Sequence, residues 1–103
     1  MDTLTINNAE IKVNEEGYFT DPSQWSEDIA IEMAKKENID LTDKHFEVLN
    51  FLRSKHAEEV PLSIRKVGKS GVVNIKEFYA LFPGGPLKIS SKIAGIPKPV
   101  SCV

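Results

Sequence analysis

The sequence predicts an α+β fold, mainly helical, in which a β-hairpin precedes a body of about five helices and a flexible C-terminal arm follows it. Three observations carry that reading. Leu4, Ile6, Ile11 and Val13 alternate with polar residues on either side of Asn7-Asn8, which is the period and turn chemistry of a hairpin. After it, apolar residues recur at helical spacing behind Ser, Thr and Asn residues suited to N-capping. Proline and glycine then divide the helical part into short pieces.

Each element has its own signals. Gly17 permits a change of direction, Tyr18 and Phe19 can cover the open side of the hairpin, and Asp21-Pro22 starts a turn. Ser26 caps a first helix running to about Lys36, with Glu27 and Asp28 in its first turn and Ile29, Ala30, Met33 and Ala34 on one face. Thr42 caps a second, whose stripe of Phe46, Leu49 and Leu52 is widened by Val48 and Phe51 and which ends near Glu58, before Pro61. Ser63 to Ser70 forms a short third helix weakened by Gly68 and stopped at Gly71. Asn74 and Glu77 make a capping box for a fourth, rich in Ile75, Phe78, Tyr79, Leu81 and Phe82. Pro83-Gly84-Gly85 breaks it, and Pro86 opens a fifth that reaches about Ala94 and stops at Gly95.

The length of 103 residues and the 41% hydrophobic content allow one domain, read as 1–95 (hairpin 1–20, helical body 21–95), with an arm over 96–103. The longest apolar group is far below the ~20 residues of a membrane span. The residues after Met1 lack the pattern of a signal peptide, and a single cysteine forms no internal disulfide, so a reducing, cytoplasmic setting is expected. Charge is unevenly placed: residues 1–59 carry 14 acidic and 6 basic side chains, residues 60–103 carry 1 and 7. A basic portion of that kind suits nucleic acid, an acidic protein surface or an anionic sulfur species, although lysines at helical spacing are more often a solvated face.

Cys102 is the candidate functional atom, because a thiol on a terminal arm is poorly placed to be core. The preceding Pro97-Lys98-Pro99 lacks two backbone donors and favours a stiff, extended chain. Arg65, Lys88, Lys92 and Lys98 could favour a thiolate by proximity, with plain solvation as the alternative. His45 and His56 read as ordinary surface histidines, too far apart to share a metal, and no metal or other cofactor is expected.

The ending Lys92-Ile93-Ala94-Gly95-Ile96-Pro97-Lys98-Pro99-Val100-Ser101-Cys102-Val103 closely resembles the signature of the DsrC/TusE sulfur-carrier family, a KIAGLPKP-type run with a penultimate cysteine. Gly17-Tyr18, Asp21-Pro22 with Trp25, Asn50-Phe51-Leu52-Arg53, Ile64-Arg65, and Leu81-Phe82-Pro83 with Gly85-Pro86 look like the same family in the same order. The resemblance implies a helical body with an N-terminal hairpin, and a swinging arm of Gly95, Pro97, Lys98 and Pro99 that presents Cys102 as the carrier of sulfur. It also implies partners of the Tus/Dsr relay type or sulfite reductase, and a sulfurtransferase-type carrier rather than an ordinary enzyme.

Three departures stand out. Sulfite-reductase-type members have a second cysteine eleven positions before the last one, where this chain has Ser91, either native, favouring a one-cysteine TusE-like carrier, or an engineered replacement. The segment from Arg65 to Leu81 is shorter than in those relatives, and Leu62 stands where they tend to have proline. Two other function classes stay open: a non-catalytic subunit of sulfite reductase, and a DNA-binding regulator using the third and fourth helices as a helix-turn-helix, with Arg65, Lys66, Lys69 and Lys76 facing phosphates. The scarcity of base-reading Asn and Gln in the fourth helix argues against the last.

Overall fold

The computed structural model describes residues 2–6 and 8–97. Strands β1 (Asp2–Ile6) and β2 (Ala9–Val13) pair antiparallel, with Leu4 opposite Ile11 and Ile6 opposite Ala9. The turn is tight enough to need a left-handed residue, and Asn8 supplies it at φ 67°. Ile6, Ile11 and Val13 are buried, as the alternation requires.

The outer edge of β2 does not face water unpaired. Phe19 forms a single antiparallel bridge to Val13, the Thr20 N–H donates to the Lys12 carbonyl, and the Gln24 side-chain amide continues the ladder. Gln24 accepts from the Lys12 N–H at 2.9 Å and donates to the Glu10 carbonyl at 3.2 Å. Gln24 ends a 3₁₀ turn, Pro22–Gln24, whose N-cap is Asp21.

Helix α1 (Glu27–Lys36) and helix α2 (Asp43–Ala57) follow, then α3 (Ile64–Gly68), α4 (Ile75–Leu81) and α5 (Pro86–Ile93). The caps are those the sequence predicts. Ser26 and Ser63 accept from backbone amides three residues on, and Asn74 and Glu77 complete a reciprocal box with bonds of 2.7 and 3.3 Å. Helix α3 ends at Gly68, and the chain reverses at Gly71, which has φ +87°. Gly68 also lets α4 approach, since a Cβ there would collide with the Ile75 side chain.

Helix α5 is the central element, touching α1, α2 and α4, and five of its residues, Pro86, Leu87, Ser90, Ser91 and Ile93, are buried. Phe78 and Phe82 fill the space beside it, edge-on to each other at 5.9 Å. Ile75 and Tyr79 of the same helix remain about half exposed, so the broad apolar surface predicted for α4 is buried only on the Phe78 and Phe82 side.

His45 is a correction to the sequence reading, because it is buried rather than on the surface. It occupies the third position of α2, and its Nδ1 accepts from the Thr42 N–H at 3.1 Å. That acceptor role leaves the proton on Nε2, which donates to the Leu81 carbonyl at 3.0 Å. The imidazole thus joins the start of α2 to the end of α4 and packs edge-on to Phe82 at 5.2 Å. No helix among the described residues is long and apolar enough to cross a membrane.

Two predictions follow from local geometry. Just beyond the Glu58 cap of α2, Glu59 lies in the left-handed region at φ 60°, with the Val60 N–H donating to the Lys55 carbonyl and the Glu59 N–H to that of His56. A side chain there costs about 1 kcal/mol that glycine avoids, partly offset by the greater freedom of the unfolded chain. Glu59→Gly is expected to raise stability by about 0.5 kcal/mol, read as a higher midpoint in urea.

The second concerns Asp21, whose carboxyl is held below the ordinary carboxylate range by the Ser23 hydroxyl first and the Ser23 amide second, with Lys12 adding a little. A lowered folded-state value means that the contribution of this cap is complete above pH ~4 and lost as pH falls through the lowered value. The Ser23 amide resonance is expected to shift over that acidic window, and to lose the shift in Asp21→Asn.

Candidate functional site

The predicted carrier residue Cys102, with Lys98 and Pro99, lies outside the described residues. What the structure describes is the foundation from which that tail starts, the C-terminus of α5. A helix leaves its last four carbonyls without intrahelical partners, and here all four are satisfied.

Gly95 adopts φ +70°, the left-handed conformation of a Schellman ending. Its N–H donates to the Lys92 carbonyl at 3.2 Å, and the Ile96 N–H donates to that of Ser91, also at 3.2 Å. The remaining two carbonyls are taken by side chains from elsewhere in the fold. Trp25 Nε1 donates to the Ile93 carbonyl at 2.7 Å, and Arg53 Nη1 donates to that of Ala94 at 2.8 Å.

These two side chains also hold each other. The Arg53 guanidinium lies over the Trp25 ring at 4.4 Å, and its other nitrogen, Nη2, donates to the Pro22 carbonyl at 3.1 Å. Burial lowers the basicity of Arg53 somewhat. Arginine suits this place because one planar fork serves two carbonyls while its face stacks on indole, which an ammonium cannot reproduce.

The glycine is required twice over. A Cβ at Gly95 would stand 2.5 to 2.8 Å from Trp25 atoms, and its φ disfavours any side chain. Ile96 is 1% exposed, so packing continues through that residue, with Pro97 half-buried beyond it.

The other predicted site residues are spread out. Lys92 is half-buried on the last turn of α5, its Nζ 5.3 Å from the Tyr18 ring, and it lines a shallow cleft of about 170 Å³ with Leu4, Gly17, Met33, Lys36, Glu37 and Ile93. Lys88 is exposed earlier on α5, and Arg65 is exposed at the start of α3. Among the described residues neither has an ion pair. The structure therefore groups Gly95, Pro97 and Lys92 around the end of α5 and leaves Arg65 on another helix.

Ser91 is fully buried, and its hydroxyl is the one buried side-chain polar atom among the described residues without a hydrogen-bond partner. Neighbouring Ser90, equally buried, donates to the Leu87 carbonyl at 3.2 Å. The position that the family resemblance gives to a second cysteine is thus an apolar one, where a hydroxyl is poorly served.

Fold and site together define a class: a small α+β protein whose last helix is locked at its C-terminus and is followed in sequence by the single cysteine. The DsrC-like protein family model matches residues 5–103, and the chain belongs to that family. It is 39% identical to the sulfurtransferase TusE of Escherichia coli strain K12, over 97% of this chain and 99% of that protein. The solution structure of Allochromatium vinosum DsrC superposes with a TM-score of 0.81 at 37% identity, covering 99% of this chain and 98% of that one. The oxidized γ-subunit of the dissimilatory sulfite reductase from Archaeoglobus fulgidus gives 0.83 at 30% identity, covering 99% and 100%.

Trp25 and Arg53 were visible in the sequence as parts of that resemblance, without a role. The available signal was chemical: a lone tryptophan, and one of only two arginines set beside the buried Leu52 of an amphipathic helix.

Two substitutions in adjacent turns are expected to move stability in opposite directions. Gly95→Ala should lower it by at least about 2 kcal/mol, from the clash and the left-handed φ. Ser91→Ala should raise it by about 1 kcal/mol, by removing a buried hydroxyl with no partner. Urea unfolding followed by circular dichroism measures both.

Proposed function

We propose that this chain is a sulfur carrier that holds sulfane sulfur as a persulfide on Cys102 and passes it along a relay. The observation that carries the reading is the run from Lys92 to Cys102: its first half is a firmly anchored helix end, and its last residues include the chain's single thiol. The sulfurtransferase name of the TusE relatives, matched over almost the whole chain, supports the same class of chemistry.

The step is balanced without any oxidant. The Cys102 thiolate attacks the outer sulfur of a donor persulfide, the bond between the donor's two sulfurs breaks, and the donor leaves as a thiolate. Cys102 then carries the outer sulfur, and a second thiolate removes it by the same exchange. With one cysteine in the chain, that second thiolate belongs to another molecule. Partners are proposed to be relay proteins of the Tus/Dsr type. Lys92 and Arg65 are the candidates for cationic contacts with thiolate or partner, and the arm expected over 96–103 is proposed to begin beyond Ile96, which is packed in the body.

Ser91 favours this reading over that of a two-cysteine sulfite-reductase subunit, since no internal disulfide can form with Cys102.

Incubation with a persulfide donor is expected to add about 32 Da, one sulfur, to the intact chain and nothing to Cys102→Ser. Equal addition to both proteins would refute the proposal. Mild oxidation should yield only disulfide-linked dimers or mixed disulfides, which a non-reducing gel resolves.

A further inference from the structure

The grip of Trp25 and Arg53 on the end of α5 exceeds what ending a helix requires. A Schellman turn with glycine already stops the chain and satisfies two of the orphan carbonyls, and water can satisfy the rest. Here two large side chains, from a 3₁₀ turn and from α2, converge on two consecutive carbonyls while contacting each other. The α2 contribution is tied back to the 3₁₀ turn through the Pro22 carbonyl, so three parts of the fold meet at this one point. The bonds are short, 2.7 and 2.8 Å, and that of Arg53 is charge-assisted.

We infer that Trp25 and Arg53 are positioning residues for the relay: by clamping the backbone at Ile93 and Ala94 they set the point and direction from which the tail leaves the body. The inference rests on Cys102 as the carrier. Cys102 lies six residues beyond Ile96, a length that spans at most about 20 Å. The direction of the backbone at Ile96 therefore bears on where, within that length, the sulfur is presented to a partner's thiol. Neither Trp25 nor Arg53 need touch the sulfur.

The single native thiol makes the test direct. A nitroxide on Cys102 and a second on Glu47→Cys, an exposed α2 position, report the distance distribution from tail to body by pulsed electron resonance. Trp25→Phe keeps an aromatic ring without the N–H donor, Arg53→Lys keeps the charge without the fork, and Val48→Ala is a buried α2 control brought to equal stability with urea. The distribution is expected to broaden or shift, by about twofold in width, in the Trp25 and Arg53 variants and to stay as in the parent in the control. An unchanged distribution in folded variants would overturn the inference. So would equal broadening in Val48→Ala, which would make the effect one of general loosening.

Failure here is distinct from failure of the sulfur reading. Persulfide mass on Cys102 does not depend on the clamp, and the label distances do not depend on persulfide. Loading of the three variants from glutathione persulfide, a donor too small to need an aimed tail, is expected within about twofold of the parent.

Discussion

Two carbonyl oxygens at the end of α5 and the two side chains that bind them organise this molecule. Trp25 follows the turn that seals the hairpin edge, and Arg53 lies three-quarters of the way along α2, so their convergence on Ile93 and Ala94 fixes the N-terminal sheet, the long helix and the last helix to one another. Neither contact is strong alone. Hydrogen bonds of this kind contribute about 1 kcal/mol each, or somewhat more where charged, but they share the same few atoms, and losing one leaves buried groups of the other unpaired.

The packing around α5 follows from the same constraint. Gly95 has no side chain, and that absence permits the indole of Trp25 to come close enough to reach the backbone. Any side chain there would hold Trp25 off. One turn earlier, the buried Ser91 hydroxyl without a partner is a local cost. His45 plays the corresponding part for α4, joining its end to the start of α2.

Most of the fold was legible because its elements are bounded by residues with strong local chemistry. Ser26, Ser63 and Asn74 start helices, Asn8 turns the hairpin, and Gly95 ends α5, each for a reason that acts within a few residues. Family membership was legible for a different reason: the Lys92-to-Val103 ending with its penultimate cysteine is a contiguous run that can be matched without knowing any tertiary contact. Burial of His45 was not, because its partner carbonyl is that of Leu81, far along the chain, and a histidine at the start of an amphipathic helix gives no local sign of it. The roles of Trp25 and Arg53 were hidden likewise: their acceptors are backbone atoms of residues 93 and 94, and backbone acceptors carry no side-chain signature.

Gln24 does more than join a turn to a strand. A primary amide is chemically a peptide group without its chain, and this one sits where a third strand would run, meeting Lys12 and Glu10 as a neighbouring backbone would. The sheet is thereby closed to growth on that side: a stray extended segment, from this protein or another, finds its docking positions already taken. Together with the Phe19 bridge and the Thr20 amide, one glutamine thus guards the β2 edge of the ribbon against fibril-like addition.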